Sequence, residues 1–380
     1  MSGTSQSGSP LPLPCSAFEN YMVLDEWPSH PMVSYLECEL QGPLDVAALE
    51  ATLPETLARH PLLTALMTRH GRNCPVWIPG PIPRLQRLGE VGVVLPPLDH
   101  EFLDLTQEPG CRLFVDADAN RSRLLLLMHH ACTDALGMLT FLADWLNAYG
   151  HATTAASGDA KLPPLPPPNW SLLAQREDLR GVRSHRTLTE RLRRVVQILR
   201  TSTPRRLSIP KSDPSQPPDS PATTHNCEQR FDEATFRQLR TACRERGLTL
   251  NDLLTTAMLL TIGDWEQEYG TGSSGDMIRL IIPVSRRTEA DRALSAVNKI
   301  GYKFLSRMRR DLGDDGLLAG VHQEMEHVRR HRVQIVNLLK TVRWMQRLGL
   351  TRWLLPKSRC FATAVFSNLG DVATLFSDRL

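Results

Sequence analysis

The spacing of apolar positions along the chain changes between the period of strands and the period of helices. Residues 32–40 carry an apolar side chain at roughly every second position, which predicts a half-buried strand. Residues 45–57 instead carry leucine at every fourth position, which predicts a helix capped by Asp45. Pro54 lies inside this helix and should kink it or split it in two, because proline has no backbone N–H to donate.

The next patterns predict a hairpin followed by a helix. Residues 111–115 and 123–128 both have the character of strands, and Asn120-Arg121 between them suits a turn. Four consecutive leucines in the second strand indicate burial on both of its faces. Apolar residues at helical spacing over 136–149 then predict an amphipathic helix that packs back against the sheet.

Strand and helix patterns also alternate in the second half. Residues 227–231 are predicted to form a strand and residues 233–246 a helix. A longer helix over 249–265 begins with Thr249 and Asp252 in the arrangement of a capping box. Because strands and helices alternate throughout, the sequence predicts an α/β fold. Further strands are predicted over 278–284, from residue 301 and from residue 363.

Composition and charge restrict the classes of function. Apolar residues make up 41% of the chain and charged residues 22%, which is typical of a globular protein. The 44 basic residues nearly balance 41 acidic ones, so the net charge of +3 gives no support for nucleic-acid binding. Eight scattered cysteines without a CxxC pair suggest reduced thiols and a cytoplasmic protein.

No apolar run approaches the roughly 20 residues of a membrane span, so we expect at most peripheral membrane contact. Residues 338–359 mix tryptophans and leucines with basic residues. They are predicted to form either a helix packed on the core or an interfacial helix.

Proline-rich stretches divide the chain. Two of them, residues 162–168 and 202–224, flank a strongly basic stretch over 172–199 with the character of a helix. That helix is either a solvated crossover between two lobes or a face that recruits an anionic partner. The first residues are small and polar, without the basic start and apolar core of a signal peptide. The predicted divisions are a flexible tail (1–15), an N-terminal lobe (16–165), a basic crossover and proline-rich linker (166–224) and a C-terminal lobe (225–380).

The segment MHHACTDALG, residues 128–137, carries the candidate chemistry. It places two histidines at the end of a buried strand and an aspartate four residues after the second. Open α/β sheets bind their ligands at the carboxyl ends of strands. Histidine is the side chain best suited to take a proton from a hydroxyl or amine near neutral pH. The segment is therefore a candidate site for proton-transfer chemistry.

Other chemistry is open to the same residues. The two histidines, Cys132 and Asp134 could form a metal site, but adjacent side chains point apart and the segment has no HxxxH or CxxC spacing. Cys132 could be the nucleophile of a hydrolase with His130 as its base, since residues two apart in an extended turn share a face. His129 is expected to point into the fold, either to set the loop or as an ordinary core histidine.

Residues 129–135, HHACTDA, resemble the HHxxxDG motif of the condensation-domain and chloramphenicol-acetyltransferase-like superfamily. This superfamily includes peptide-synthetase condensation domains, wax-ester and diacylglycerol acyltransferases and polyketide-associated acyltransferases. The resemblance extends over roughly residues 15–372. Further segments that agree in order and spacing are LPETLARHPLLTA (53–65), LTLNDLLTTAMLL (248–260), RLIIPVSRR (279–287) with NKIG (298–301), and SNLG (367–370).

The resemblance implies a two-lobed chloramphenicol-acetyltransferase-like fold, with mixed sheets, flanking helices and an active site between the lobes. The chain departs from the superfamily at two points. Ala135 replaces the glycine of the motif, which would cost about 1–2 kcal/mol at a positive φ and nothing in a first helical turn. Members usually continue well past the SNLG stretch, some to a DFGWG motif. This sequence ends at Leu380, so we expect a second lobe that is incomplete at its C-terminus.

The resemblance also implies roles for individual residues. His130 would be the general base, with His129 and Asp134 completing the catalytic motif. Asp134 would pair with an arginine and brace the loop, although orienting the imidazole directly is an alternative role. The candidate arginine partners are Arg59, Arg279 and Arg287. The residues implied to line the substrate site are Asn298, Gly301, Ser367 and Asn368.

The implied reaction is acyl transfer to a small-molecule hydroxyl or amine. The donor would be acyl-CoA or an acyl group on the phosphopantetheine of an acyl carrier protein, used as a co-substrate, with no bound cofactor and no metal. A first alternative is a free-standing condensation domain that forms amides. A second alternative is a non-catalytic relative that acts as a binding module.

Overall fold

The computed structural model describes residues 9–28, 30–70, 74–90, 93, 101–118, 120–154, 162–177, 203–208, 227–272, 276–330, 333–350, 360–377 and 379–380. The elements of the first half are β1 (Leu13–Pro14), α1 (Ala17–Asp25), β2 (Val33–Gln41), α2 (Val46–Ala58), β3 (Ala65–His70), β4 (Cys74–Pro79), β5 (Leu85–Arg87), β6 (Cys111–Ala117), β7 (Arg121–His129), α3 (Ala135–Thr154) and α4 (Trp170–Ala174). Those of the second half are α5 (Glu233–Glu245), α6 (Leu250–Glu268), β8 (Met277–Ser285), β9 (Ile300–Met308), α7 (Leu317–Arg330), α8 (Val333–Arg347), β10 (Ala364–Val365) and α9 (Ala373–Ser377).

The strands of the described residues form two sheets in the first half and one in the second. β2, β7, β6 and β5 lie side by side in that order, with β7 antiparallel to both neighbours and β5 parallel to β6. A smaller sheet has the order β1-β4-β3. In the second half, β8 lies between antiparallel β9 and parallel β10. The predicted α/β fold with mixed sheets and flanking helices is therefore confirmed.

β7 is buried on both faces because of its leucines. Leu124 and Leu126 belong to the main core cluster, together with the apolar side of α3. Leu125 and Leu127 pack with Phe114 on the opposite face of the sheet. A strand covered on one face alone would alternate apolar and polar residues, so the continuous leucine run reflects this double burial. The antiparallel pairing of β6 with β7 confirms the predicted hairpin.

Residues 292–299, between β8 and β9, enter the core of the first half, and we call them the crossing segment. Leu294, Ala296 and Val297 are buried in the same cluster as the residues of β7 and α3. The Ser295 hydroxyl also donates a hydrogen bond to the backbone carbonyl of Arg59, at 2.7 Å. The crossing segment thus completes the core of the first half and brings side chains of the second half to the end of β7.

The predicted capping box of α6 is confirmed. The Thr249 hydroxyl accepts a hydrogen bond from the backbone N–H of Asp252, and the Asp252 carboxylate accepts one from the backbone N–H of Thr249. His322 and Arg329 of α7 contact the same carboxylate at 2.9 and 3.1 Å. Asp252 therefore both starts α6 and attaches it to α7.

Two predicted features differ from the structure. Residues 227–231 form no strand, because their side chains are all exposed, Phe231 by 55%, and no apolar face is available to drive pairing. α2 runs through Pro54 without a break, so the predicted split is wrong. Pro54 lies on the exposed side of α2, while Leu53 and Leu57 are buried and hold the helix before and after it.

Most of the predicted basic helix over 172–199, most of the proline-rich stretch over 202–224 and the end of the 338–359 stretch lie outside the described residues. Arg176, at the start of the basic stretch, is buried, with its Nε 2.5 Å from Oε1 of the buried Glu19. Among the residues that the structure describes, no helix is both long enough and apolar enough to span a membrane.

Candidate active site

His130 lies in the tight turn that connects β7 to α3. Its backbone N–H donates to the carbonyl of Met32 at 2.6 Å, which extends the pairing of β2 with β7 by one residue. The N–H groups of Cys132 and Thr133 return to the carbonyl of His129 at 2.9 and 3.3 Å and close the turn. His130 is only half-buried as a residue, whereas its neighbours in the turn are buried. The turn therefore presents one imidazole at the carboxyl end of a buried strand.

His129 points into the fold and supports the turn. Its Nδ1 accepts a hydrogen bond from the Ala131 N–H at 2.9 Å, so the ring proton resides on Nε2. Nε2 lies 2.9 Å from Oε2 of Glu26, whose Oε1 accepts from the Met32 N–H at 2.9 Å. Glu26 is 103 residues from His129 in sequence, and no local pattern in the sequence marks it as a partner.

Asp134 is buried and accepts hydrogen bonds through both carboxylate oxygens. Oδ1 accepts from the Gly137 N–H at 2.9 Å, which caps the start of α3. Oδ2 accepts from Nη1 of Arg287 at 2.7 Å and from the Lys299 N–H at 2.8 Å. Of the three candidate arginines, the structure thus brings Arg287 to Asp134. The carboxylate makes no described hydrogen bond to His130, which disfavours the direct orienting role.

The other two candidate arginines lie elsewhere. Arg59 contacts Asp144 of α3, with Nε 3.2 Å from Oδ2. Arg279 donates from Nε to the Ser306 hydroxyl at 2.9 Å and from Nη1 to the carbonyl of Phe361 at 3.3 Å. Both arginines therefore stabilise contacts away from the histidine motif.

Ala135 is the first residue of α3, and no non-glycine residue of the described chain has a positive φ. The alanine is therefore in the first helical turn, where it is harmless. The glycine requirement lies instead at Gly137, two residues later. A Cβ there would lie 2.2 Å from the Thr133 hydroxyl and 3.0 Å from the carbonyl oxygen of Val297. Gly137 thus allows α3 to approach the crossing segment closely.

Of the four residues predicted to line the substrate site, the structure brings Asn298 to His130. The Asn298 side-chain amide nitrogen donates to the His130 carbonyl oxygen at 2.7 Å and lies 3.2 Å from Nδ1 of the same residue. Gly301 is in β9, paired with Val284. Ser367 and Asn368 are exposed, and the Asn368 amide contacts Asn251 of α6 at 3.4 Å.

The environment keeps His130 neutral near pH 7. Burial of the ring lowers the pKa of His130, and this effect outweighs the nearby charge of Asp134, which favours the imidazolium. Nε2 of His130 has no hydrogen-bond partner among the described residues, so one ring nitrogen remains available. A neutral imidazole can accept a proton at the ring nitrogen that carries no hydrogen.

Cys132 is fully buried, and burial raises its pKa well above the ordinary value. It therefore stays a thiol, which argues against the alternative of a cysteine nucleophile. Within the described residues, no group of three or more His, Cys, Asp or Glu side chains is arranged to hold a metal ion.

A second histidine, His60, also contacts the crossing segment. Its Nδ1 accepts a hydrogen bond from the Ala296 N–H at 2.9 Å. Its Nε2 lies 3.3 Å from Oδ2 of Asp144 but is not aligned for a hydrogen bond. Asp144 also pairs with Arg59 and Arg379. His60 belongs to the LPETLARHPLLTA segment, but the sequence gives no sign of this network, because Asp144, Ala296 and Arg379 lie far from His60 in the chain.

The sequence matches no family model. Two curated relatives, both uncharacterized proteins of Mycobacterium tuberculosis (strains CDC 1551 and H37Rv), are each 25% identical over 285 residues. The match covers 72% of this chain and 62% of each relative, so the chain spans less than two thirds of their length.

Several solved structures have a fold similar to that of this chain. The EpoB cyclization-docking bidomain of Sorangium cellulosum has a TM-score of 0.61 at 18% identity, over 96% of this chain and 72% of that one. SgcC5 of Streptomyces globisporus has a TM-score of 0.60 at 18% identity, over 93% and 80%. The X-domain from teicoplanin biosynthesis has a TM-score of 0.56 at 20% identity, over 88% and 73%.

The chain has a mixed α/β architecture, and its histidine motif lies where its two halves meet. These two features define the class of structure to which the chain is similar. The chain has the fold of the condensation-domain and chloramphenicol-acetyltransferase-like superfamily, and the resemblance seen in the sequence is confirmed at the level of the fold.

Proposed function

We propose that this protein is an acyltransferase that moves an acyl group from a thioester to a hydroxyl or amine, with His130 as general base. The observation that supports this proposal most directly is the state of His130. The residue is partly exposed, has a lowered pKa and keeps Nε2 free of described partners, in a turn that hydrogen bonds hold from both sides. The likeness of the fold to condensation and cyclization domains supports the same chemistry.

The proposed reaction passes through a tetrahedral intermediate. Nε2 of His130 takes the proton of the acceptor hydroxyl or amine while the acceptor oxygen or nitrogen bonds to the thioester carbonyl carbon. The intermediate then collapses, the carbon–sulfur bond breaks, and the imidazolium returns the proton to the leaving thiolate. His130 ends in its starting state, so no further co-reactant is needed. A positioned base typically contributes about 10²–10⁴-fold to such a step.

We propose acyl-CoA or an acylated carrier protein as the donor and a small molecule as the acceptor. Both donors present the same phosphopantetheine thioester, so the chemistry at His130 is identical for the two. A free-standing condensation domain that forms amides from carrier-bound substrates is the nearest enzymatic alternative. It differs in donor and acceptor rather than in the role of His130.

A protein-binding module is a second candidate function. The teicoplanin X-domain, which has this fold, was solved in complex with OxyB, at a TM-score of 0.54 and 18% identity to this chain. A structure of this type can therefore engage a protein partner. This candidate predicts binding that does not depend on Nε2 of His130.

The test is thiol release from a panel of acyl-CoAs and acylated carrier proteins, each mixed with alcohol and amine acceptors. We expect acceptor-dependent release by the wild type and loss of release in His130→Ala, with a change in stability within about 1–2 kcal/mol. His151→Ala is the matched control, because His151 is exposed near the end of α3. Equal turnover by wild type and His130→Ala would refute the catalytic role.

A further inference from the structure

The two sides of α8 differ in character. Leu339 and Met345, at 3% and 1% exposure, lie on the side that packs into the core, where α8 contacts α1 and β9. The opposite side carries cations and large apolar side chains at the three- and four-residue spacing of one helix surface. We call this side the outer face of α8, and its members, all half-buried or exposed, are Lys340, Arg343, Trp344, Arg347 and, directly after the helix, Leu348.

The most exposed apolar side chains of this region lie at the end of the helix. Leu348 is 51% exposed. Gly349 follows with a φ of +68°, and the Leu350 N–H donates to the Met345 carbonyl at 2.9 Å, which ends the helix in a left-handed turn. Leu350 is 38% exposed. Two exposed leucines therefore lie next to the arginine that ends α8.

The charge around α8 has one sign. Residues 327–370 contain nine of the 44 basic residues of the chain and none of its 41 acidic residues. Arg329 and Arg330, at the start of this stretch, pair with carboxylates of α6 and α7. Within the outer face, Glu177 balances part of the charge of Arg343. Arg347 is exposed and has no ion pair within the described part of the chain, so the outer face carries uncompensated positive charge.

The combination of side chains on the outer face indicates the kind of partner. Tryptophan and leucine on the same side of a helix as lysine and arginine are typical of helices that lie in the interface of a bilayer. A tryptophan ring suits the level of the headgroups, and a leucine reaches the start of the acyl chains. The long stems of lysine and arginine let their cations stay at the phosphate groups. An anionic lipid surface therefore accommodates both kinds of side chain at once.

We propose that the outer face of α8 docks the protein on an anionic lipid surface, with Arg347 at the phosphate groups and Leu348 at the boundary of the acyl chains. Docking requires neither an acyl donor nor an acceptor, so it does not depend on the proposed function. Because α8 contacts α1 of the first half and β9 of the second, docking brings the junction of the two halves close to the lipid.

The experiment is co-sedimentation of the full chain with vesicles of phosphatidylcholine, with and without phosphatidylglycerol. We expect binding to the mixed vesicles, weakened by added salt because the attraction is screened. Arg347→Glu should lower the partition coefficient by about 10- to 30-fold, because it reverses one charge near the surface. Leu348→Ser should lower it by about 3- to 10-fold through lost apolar contact. Circular dichroism checks that both variants, which change exposed positions, are folded.

Two matched controls make the same chemical changes elsewhere in the second half. Arg237→Glu reverses the charge of an exposed arginine of α5, and Leu260→Ser replaces a leucine that is 42% exposed on α6. We expect both to bind vesicles within about twofold of the wild type, since electrostatic attraction to a membrane falls off within a Debye length of its surface.

Three results would overturn the proposal. They are equal binding to vesicles with and without phosphatidylglycerol, equal binding by the wild type and Arg347→Glu, and no binding to either kind of vesicle. The last result, together with capture of an acidic carrier protein that Arg347→Glu abolishes, would assign the outer face to a protein partner instead. Thiol release is a separate measurement in the absence of lipid. A failure of the proposed function and a failure of docking are therefore distinguishable.

Discussion

His130 and His60 both contact the crossing segment, and comparing them separates the environment of the proposed general base from that of a histidine enclosed in the core. His130 faces the side chain of Asn298, whereas His60 accepts a hydrogen bond from the backbone of Ala296. Each histidine lies near an aspartate that is paired with arginine. Burial lowers the pKa of both histidines, and for His60 the neighbouring Asp144 offsets this effect only in part.

The two histidines differ in the surroundings of Nε2, the ring nitrogen that makes no hydrogen bond in either of them. His60 is 1% exposed, with Nδ1 occupied by a backbone N–H and Nε2 enclosed beside Asp144. His130 keeps part of its surface exposed, and its Nε2 has no described partner. A lowered pKa and a nearby carboxylate therefore do not identify a catalytic histidine, since both sites have them.

Removing the carboxylate of the structural site should have the largest effect. Asp144→Ala would leave Arg59, Arg379 and His60 without their shared anion in a buried site. We expect a loss of about 3–5 kcal/mol in the free energy of unfolding, measured by chemical denaturation. Asp116→Ala is the control, because Asp116 is half-exposed in its pair with Arg123 and its loss should cost less than about 1 kcal/mol. Similar losses in the two variants would contradict this account.

Replacing the two histidines should separate stability from activity. We expect His60→Ala to cost roughly 2–4 kcal/mol of stability, because it leaves a cavity and an unpaired buried N–H at Ala296. Its activity should persist wherever the variant is folded. His130→Ala should show the reverse, with small loss of stability and loss of turnover. Denaturation curves and thiol release on the same samples would reveal whether this division is wrong.

Acidification should change the free energy of unfolding by less than the substitutions above. The folded-state pKa of His60 and of His130 is lowered, so the unfolded chain binds protons first as pH falls below about 6.5. The associated stability is present above that pH and declines as pH falls toward the folded-state values, by at most about 1.4 kcal/mol per pH unit for each histidine.

The Asp144 carboxylate contributes to the pH dependence of stability at lower pH than the two histidines do. Its burial favours the protonated form, but His60, Arg379 and Arg59 outweigh this effect and lower its pKa to about 2. Its contribution is therefore retained until pH falls below about 4. Urea denaturation between about pH 7.5 and pH 5.5 should show a slope that is smaller in His60→Ala. An equal slope in wild type and variant would assign the effect to other groups.

The position of the candidate site could be predicted from sequence because its signals are local. The leucine run of β7, the turn after it and the periodicity of α3 lie within about thirty residues, so they place His130 at the end of a strand. The choice of Arg287 could not be predicted, since 153 residues separate it from Asp134 and the β8–β9 hairpin brings them together. Glu26 and the contacts of His60 were hidden for the same reason. The strand predicted over 227–231 failed because its composition does not show that both faces are exposed.

The crossing segment also has a consequence for the order in which the chain is made. The core of the first half includes Leu294, Ala296, Val297 and Ile300, which leave the ribosome long after α3. At about 5–20 residues per second, the roughly 150 residues between α3 and β9 take about 7–30 s to synthesise. During that interval the residues beside Gly137 and the end of β7 lack the partners that they have in the folded chain. We expect the growing chain to expose apolar surface until then, which favours aggregation and chaperone binding.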